Sequence, residues 1–162
     1  FELLYKGADK DHPACKLIPE NSRSGRGVVW SALGTRSSVM FDLDDDGDLD
    51  IVTNEYNSKP MVLISNLAKS KKKISYIKIR LIGTKSNRDA LGATVRLRVG
   101  PQSYYKVHDG QSGYLSQSLY PLYFGLGEAT TIDEIEVIWP TGQKQIEMGP
   151  ININQTLSIK ER

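Results

Sequence analysis

The amino-acid sequence predicts an all-β fold in two parts, and three observations lead to this prediction. Apolar residues alternate with polar ones over short segments such as Ile77–Leu81 and Thr94–Val99. This alternation is typical of strands that bury one face. Glycine and proline turns separate the segments, without helical periodicity between them. A dense acidic stretch at 42–50 joins two further apolar segments nearer the N-terminus.

The composition sets limits on the class of protein. The 162 residues suffice for one ordinary domain or two small ones. Hydrophobic residues make up 39% of the sequence and charged residues 25%, which is typical of a globular protein. A net charge of +2 does not indicate a nucleic-acid partner, and no apolar run approaches the ~20 residues of a membrane span. The chain begins at Phe1 without a signal-peptide pattern, so we expect a processed or excised segment. The single Cys15 cannot form an internal disulfide, and a buried thiol is expected.

The first part of the chain is predicted to form a small meander of strands. Residues 1–36 are irregular, and Val28–Trp30 is their one apolar run, expected to be a short strand. Two strands flank the acidic stretch, a turn follows at 57–60, and Met61–Ser65 forms a third strand. Three consecutive strands joined by tight turns make up most of one β-propeller blade.

The acidic stretch predicts a calcium loop. It places carboxylates at five alternating positions: Asp42, Asp44, Asp46, Asp48 and Asp50. Such charge repels itself unless a cation is bound, and the oxygen-rich spacing suits Ca²⁺, which takes about 6–8 oxygen ligands. Gly47 lies where the loop must turn with positive φ. Asp48 is predicted to contribute its backbone carbonyl with its side chain in solvent, whereas the other four act through their side chains.

The loop is not predicted to be an EF-hand. An EF-hand requires a bidentate Glu at its twelfth position and helices on both sides. Thr53 occupies that position here, and the flanking segments are rich in β-branched residues. The sequence therefore predicts a calcium loop between two strands.

The second part of the chain begins after a basic run at 69–73, which is predicted to be a linker. Seven strands are predicted beyond it, at Ile77–Leu81, Thr94–Val99, Tyr104–Val107, Leu119–Phe124, Glu134–Trp139, Lys144–Met148 and Thr156–Lys160. The predicted fold is therefore a partial β-propeller blade segment with a calcium loop over residues 1–68, then an antiparallel β-sandwich or barrel over 73–162.

Two parts of the sequence resemble known families. Residues 41–52 around the acidic loop resemble an FG-GAP/VCBS repeat, the calcium-loop blade of integrin-type β-propellers. The region 73–160 resembles the ASPIC/UnbV domain, through the motifs at 87–93, 113–117, 124–127 and 135–142. Together they are similar to the C-terminal end of the extracellular family that includes cartilage acidic proteins. The resemblance implies calcium-stabilised, secreted or surface proteins without a settled enzymatic activity.

The chain departs from that family because it holds one clear calcium loop, whereas a propeller needs about 4–8 blades. Three arrangements follow. The chain is the tail of a larger propeller protein, which we favour; or it completes a sheet with partners or other copies by strand addition; or its blade packs onto the C-terminal domain. Exposed sheet edges would invite intermolecular pairing.

No catalytic site is predicted. His108 and Asp109 lie near Ser112 and Ser116, but the Gly-x-Ser-x-Gly elbow of hydrolases is missing. We interpret His108 as a surface or hydrogen-bonding residue at a strand end. The motif at 87–93 is interpreted as a turn in which Asn87 and Asp89 bond nearby backbone amides, with Arg88 over the sheet end and paired with a carboxylate. Gly113-Tyr114 is interpreted as close packing around a buried aromatic ring.

The leading hypothesis is a calcium-binding, non-enzymatic module of a secreted or cell-surface protein, working in adhesion or assembly. The alternative is a carbohydrate-binding module that uses a tyrosine-rich face of the C-terminal domain, with the ligand residues Tyr114, Gln117, Tyr104 and Tyr123. A third is an accessory domain of an enzyme whose active site lies upstream. Asn154 begins a glycosylation sequon.

Overall fold

The computed structural model describes residues 35–56, 59–70 and 74–162. Several predictions lie outside these residues: the strand Val28–Trp30, the thiol of Cys15, part of the turn at 57–60 and most of the linker at 69–73.

The described residues form three β-sheets and one short helix. The first sheet has the order β1-β2-β3 and is antiparallel, with β1 (Thr35–Phe41), β2 (Asp50–Glu55) and β3 (Met61–Leu63). The helix α1 (Leu67–Ser70) follows it. The predicted three-strand meander around the acidic loop is therefore confirmed, whereas α1 was not predicted.

The C-terminal part contains the other two sheets. One has the order β10-β4-β7, with β4 (Tyr76–Ile82), β7 (Leu122–Gly125) and β10 (Thr156–Lys160). The other has the order β6-β5-β8-β9, with β5 (Thr94–Val99), β6 (Gln102–Val107), β8 (Thr131–Ile138) and β9 (Lys144–Asn152). All seven predicted strands are present, and the all-β class is confirmed.

One pair of strands contradicts the expected antiparallel arrangement. Strand β10 runs parallel to β4, with Thr156 opposite Lys78 and Lys160 opposite Ile82. The reason is topological: the chain finishes β9 in the four-stranded sheet and then returns to the edge of the other sheet. Neither sheet closes on itself among the described strands, so the second part is a sandwich of mixed direction and not a barrel.

The hydrophobic core lies between these two sheets. Alternate residues of β4 point inward, and Ile77, Ile79 and Leu81 are 0%, 1% and 7% exposed. They join one buried cluster with residues of the facing sheet: Val95, Leu97, Ile132, Ile135 and Val137. Because inner residues of both sheets belong to the same cluster, the period-two pattern in the sequence identified the buried faces correctly.

The first sheet contacts the C-terminal part through the outer face of the β10-β4-β7 sheet and the segment before β7. The rings of Phe41 and Tyr120 stack with centroids 4.3 Å apart. The Ser116 hydroxyl donates to the carbonyl of Ser38 at 3.2 Å. These contacts match one of the three arrangements considered, the packing of the first sheet onto the C-terminal domain. That the chain is the tail of a larger propeller protein, and that it pairs with partners by strand addition, stay predictions.

A carboxylate clasp holds the end of β10. Glu161 is buried, and its Oε2 accepts hydrogen bonds from the backbone N–H groups of Thr84, Lys85 and Ser86, each at 2.8 Å. Burial raises the pKa of Glu161, but these bonds outweigh it and lower the pKa to about 2. The clasp therefore fixes the β10 end to the turn that follows β4.

Within the described ranges, no helix is long and apolar enough to cross a bilayer.

Candidate metal centre

Three of the predicted metal ligands converge at one end of the first sheet. Asp42 directly follows β1 and Asp50 opens β2, so the register that pairs Phe41 with Asp50 brings their carboxylates together. Asp44, on the loop between them, completes a group whose carboxylate oxygens lie within 4.8 Å of one another. Three carboxylates at this separation suit a hard divalent cation that prefers oxygen ligands.

The backbone of the loop is shaped for this convergence. Asp45 has φ 61° and Gly47 has φ 97°, both in the left-handed region that reverses the chain tightly. The Gly47 N–H donates to Asp42 Oδ2 at 3.1 Å, which holds the loop over the Asp42 carboxylate. The predicted positive φ at Gly47 is confirmed.

Asp50 is the most firmly fixed of the three carboxylates. It is 1% exposed, and its two oxygens accept backbone N–H bonds from Leu43 and Ser65, both at 2.8 Å. These bonds tie the loop and the segment after β3 to the same side chain.

Several carboxylate oxygens of the loop have no partner among the described residues. Asp42 Oδ1, Asp46 Oδ2 and Asp48 Oδ1 are buried and accept no hydrogen bond from residues 35–56, 59–70 or 74–162. A buried ionised oxygen without a partner costs a large desolvation free energy. Since three such atoms occur within one nine-residue loop, the donor set fits a bound cation.

Asp48 and Asp46 hold the backbone of the loop. Asp48 is 2% exposed, and its Oδ2 accepts the N–H of Ala68 at 2.7 Å. The prediction that the Asp48 side chain lies in solvent is therefore wrong, because the start of α1 covers it. Asp46 Oδ1 accepts the N–H of Asp48 at 3.2 Å, and Asp46 lies outside the three-carboxylate group.

A lysine from the C-terminal part also reaches the loop. Lys78, on β4, donates to Asp42 Oδ2 at 2.9 Å and to Asp45 Oδ1, and its side chain is 12% exposed. The hydrogen bond from Lys78 and its charge lower the pKa of Asp45. Burial lowers the pKa of Lys78, but its bonds to Asp45 and Asp42 outweigh burial and raise it. The ammonium lies on Oδ2 of Asp42 and leaves Oδ1 for another cation.

Two tyrosines complete the contact between loop and sheet. The Tyr123 hydroxyl donates to the carbonyl of Gly47 at 2.7 Å. Its ring stacks on Tyr76, with centroids 5.6 Å apart. Burial, and next the charge of Asp42, raise the pKa of Tyr123 to about 12, so the hydroxyl remains a donor.

Sequence reasoning missed Lys78, Tyr76 and Tyr123 as partners of the loop. Each lies more than 25 residues beyond it in the chain, and each occupies an ordinary outward position of a strand. No motif marks them, so only the packing of the two parts reveals this role.

The imagined hydrolase cluster does not form. The hydroxyls of Ser112 and Ser116 bond to each other at 3.0 Å, and Asp109 accepts the N–H of Gln111. His108 directly follows β6 but is only 8% exposed, so its interpretation as a surface residue is wrong.

The four residues predicted to bind carbohydrate have different surroundings. Tyr114 is 72% exposed and Gln117 is exposed, as a sugar-binding surface requires. Tyr104 packs against the core, and Tyr123 bonds the acidic loop. Carbohydrate binding stays a prediction, with Tyr114 and Gln117 as its accessible members.

The C-terminal motifs have mixed outcomes. Asn87 closes its turn as predicted: it accepts the N–H of Leu91 and donates to the Leu91 carbonyl, both at 2.8 Å. Asp89 of the same motif forms an ion pair with Arg88 at 3.7 Å.

The expected buried ring at Gly113-Tyr114 is wrong, because Tyr114 is exposed. Phe124 and Trp139 are buried aromatic residues of the core, and Nε1 of Trp139 donates to Gln145 Oε1 at 3.1 Å.

These motifs lie in the sandwich, and comparison with known families agrees with them. Residues 83–162 match the family ASPIC and UnbV. This match supports the ASPIC/UnbV resemblance for the C-terminal domain, whereas the FG-GAP/VCBS resemblance of the acidic loop stays a prediction. A comparison with curated proteins finds no match to this chain.

Proposed function

We propose that this chain is a calcium-stabilised, non-enzymatic module of a secreted or cell-surface protein, working in adhesion or assembly. The observation that carries the proposal is the group of Asp42, Asp44 and Asp50 beside orphaned buried carboxylate oxygens. Ca²⁺ would neutralise this charge and hold the turn between β1 and β2. We assign the cation a structural role, because the surrounding donors fix the loop backbone.

The extracellular location follows from the expected affinity. Extracellular calcium modules typically bind at ~10⁻⁴–10⁻³ M, so such a site is filled outside cells and mostly empty in cytosol. Assembly is supported by strand edges: β6 and β9 each have one strand neighbour among the described strands. An edge of this kind can pair with another chain by strand addition.

Asp44→Asn tests the calcium site most directly. Asp44 belongs to the three-carboxylate group but is exposed, so the substitution removes a ligand charge and leaves the buried bonds of Asp42 and Asp50 in place. We expect calorimetric titration with CaCl₂ to show at least about tenfold weaker binding, since a full ligand charge is lost.

Glu128→Gln is the matched control, because it removes one exposed carboxylate in a turn away from the loop. We expect its calcium affinity to equal that of the unaltered chain. Equal calcium affinity in Asp44→Asn and the unaltered chain would show that the acidic loop is not the site.

A further inference from the structure

A cavity of about 360 Å³ lies beside β4, on the side that faces away from β10. Its size falls within the range typical of ligand sites. It is bordered by β4 and by the segment 119–121 that leads into β7. The acidic loop does not contribute to its lining. Arg80 and Tyr120 also border a neighbouring cavity that Asp42 and Asp45 line.

The cavity occupies a gap in the hydrogen-bond ladder of β4. Pairing with β7 stops at Ile79, which lies opposite Leu122. Pairing on the same side resumes at Gly83, whose N–H donates to the carbonyl of Arg88 at 3.0 Å. The residue left between them is Leu81.

The direction of the Leu81 backbone follows from its neighbours. The Lys78 N–H donates to Gln155, and the Ile82 carbonyl accepts from Glu161, so the even-numbered residues of β4 bond on the β10 side. Backbone groups alternate along a strand, and those of Leu81 therefore point into the gap.

Leu81 leaves a donor and an acceptor for an incoming strand. It is 7% exposed, and neither its N–H nor its C=O has a partner on the gap side within the described ranges 35–56, 59–70 and 74–162. Buried backbone groups are nearly always paired. A ligand that offers one C=O and one N–H with strand spacing, as an extended peptide does, would satisfy both groups.

The lining of the cavity also includes a histidine. His108 is 8% exposed and borders the same cavity. Its imidazole can donate or accept a hydrogen bond, so it offers a ligand in the cavity a further polar contact.

The charge at the mouth favours an anionic ligand. Arg80 is exposed, lines the cavity and has no ion pair within the described residues. Arg88 and Asp89 also line it, and their exposed side chains pair with each other at 3.7 Å, so Arg80 supplies the unbalanced positive charge. A free guanidinium matches the planar geometry of a carboxylate.

We propose that this cavity binds an extended, carboxylate-bearing peptide segment of a partner protein. The peptide pairs with the N–H and C=O of Leu81 as an added strand, and its carboxylate is held by Arg80 with His108 beside it. Pairing with the backbone of Leu81 aligns the bound peptide along β4. The Arg80 guanidinium favours a peptide that carries a carboxylate.

The test uses the full chain labelled with ¹⁵N, and its amide spectrum is followed by NMR. One probe is a pool of N-acetylated tetrapeptides with random sequences and a free C-terminal carboxylate. The other is the same pool without Asp and Glu and with C-terminal amides. We expect the acidic pool to move the Leu81 amide signal and slow its exchange with water, and the neutral pool to bind about tenfold more weakly.

Arg80→Gln is the informative variant, because the side chain is exposed and its removal leaves the fold intact. We expect it to weaken binding of the acidic pool about tenfold. Arg98→Gln is its control: Arg98 pairs with Glu134 on the other sheet, and binding should not change.

Any one of three results would overturn the proposal. The first is that the acidic pool leaves the Leu81 amide signal unchanged, and the second is that the neutral pool binds as tightly as the acidic pool. The third is that Arg80→Gln binds the acidic pool as tightly as the unaltered chain does. Glucuronate that produces the same shifts while the peptides do not would replace the peptide by an acidic sugar.

Discussion

Gly47 lies against the C-terminal sheet, since its carbonyl accepts the Tyr123 hydroxyl at 2.7 Å. Its φ of 97° is costly for any residue with a Cβ, and a Cβ built there would collide with the ring of Tyr76. We expect Gly47→Ala to destabilise the chain by more than the about 1–2 kcal/mol of backbone strain alone. Unfolding in urea measures the change.

Gly142→Ala separates the two causes. Gly142 has φ 83°, but no atom lies within 4 Å of its added Cβ. This control should show only the strain of about 1–2 kcal/mol. If both variants lose the same stability, the contact between Gly47 and Tyr76 does not constrain the loop.

Glu161 predicts how stability depends on pH. Its pKa is about 2 in the folded chain, against an ordinary value of 4.5, so the unfolded chain binds the proton more readily. The free energy that the ionised Glu161 carboxylate adds to folding is therefore fully present above pH 4.5 and is lost as the pH falls toward 2. We expect unfolding free energy to fall less steeply between about pH 5 and 2 in Glu161→Gln than in the unaltered chain.

The same pH series on Glu128→Gln provides the comparison, because that carboxylate is exposed in a turn. It should keep the slope of the unaltered chain. An equally steep slope in Glu161→Gln would mean that the bonds to the turn at 84–86 do not hold the carboxylate ionised.

Residue-level predictions succeeded where the cause is local. The positive φ of Gly47 and the turn bonds of Asn87 depend on neighbours within a few residues. The burial of Asp48 was missed because its partner, Ala68, lies 20 residues away. A spacing pattern carries no information about such a distant N–H group.

At the scale of elements, alternation of apolar residues found the strands but not all of their ends. The strand expected at Leu119–Phe124 begins only at Leu122. Residues 119–121 do not pair with β4, and this leaves the gap beside Leu81. Helix α1 has four residues, too few for helical periodicity to appear.

The contact between β4 and the acidic loop gives a prediction about Lys78. Its ammonium partly neutralises Asp42 and Asp45, but it also repels a cation bound nearby. We expect Lys78→Met to lower the melting temperature in a chelator and to bind Ca²⁺ several-fold more tightly. Melting in EDTA and calorimetric titration measure the two effects.

Lys160→Met is the control, because Lys160 is an exposed residue of β10 in the same sheet. Both of its values should match those of the unaltered chain. Weaker calcium binding by Lys78→Met would show that Lys78 orients the Asp42 carboxylate and that its repulsion of the metal is minor.

At the scale of the whole molecule, the loop and the sandwich should respond together to calcium. Lys78, Tyr76 and Tyr123 join them, so a cation that holds the loop also favours the packed sandwich. At a concentration of 100 times Kd, binding stabilises by about 2.7 kcal/mol, which corresponds to a rise of roughly 5–10 °C in melting temperature.

The sequence holds two tryptophans, so in a Trp30→Phe chain the fluorescence comes from Trp139 alone. Because Trp139 is buried in the sandwich core, its fluorescence reports the rise in melting temperature. Magnesium at the same concentration is the control, because Mg²⁺ demands shorter distances and a more regular octahedral geometry than Ca²⁺ does. A Trp139 transition that does not move with Ca²⁺ would mean that the loop and the sandwich are not coupled.

The topology of the whole molecule was the least predictable level. The sequence indicated two layers, since each strand shows one apolar face, but it gave no sign that β10 joins β4 in parallel. Alternation records which face is buried and not which strand lies alongside. The contact between the loop and the sheet was missed for the same reason.

The position of β10 also sets the order in which the molecule can be built during translation. The backbone N–H of Tyr76, at the start of β4, donates to Oδ1 of Asn154, which lies 78 residues later in the chain. After β4 has left the ribosome, the strands of the four-stranded sheet and then β10 must still be synthesised. Only then can β10 pair with β4 as its second neighbour beside β7. Until then the nascent chain carries an apolar, half-paired β4, so the sandwich can be completed only after Thr156–Lys160 emerge.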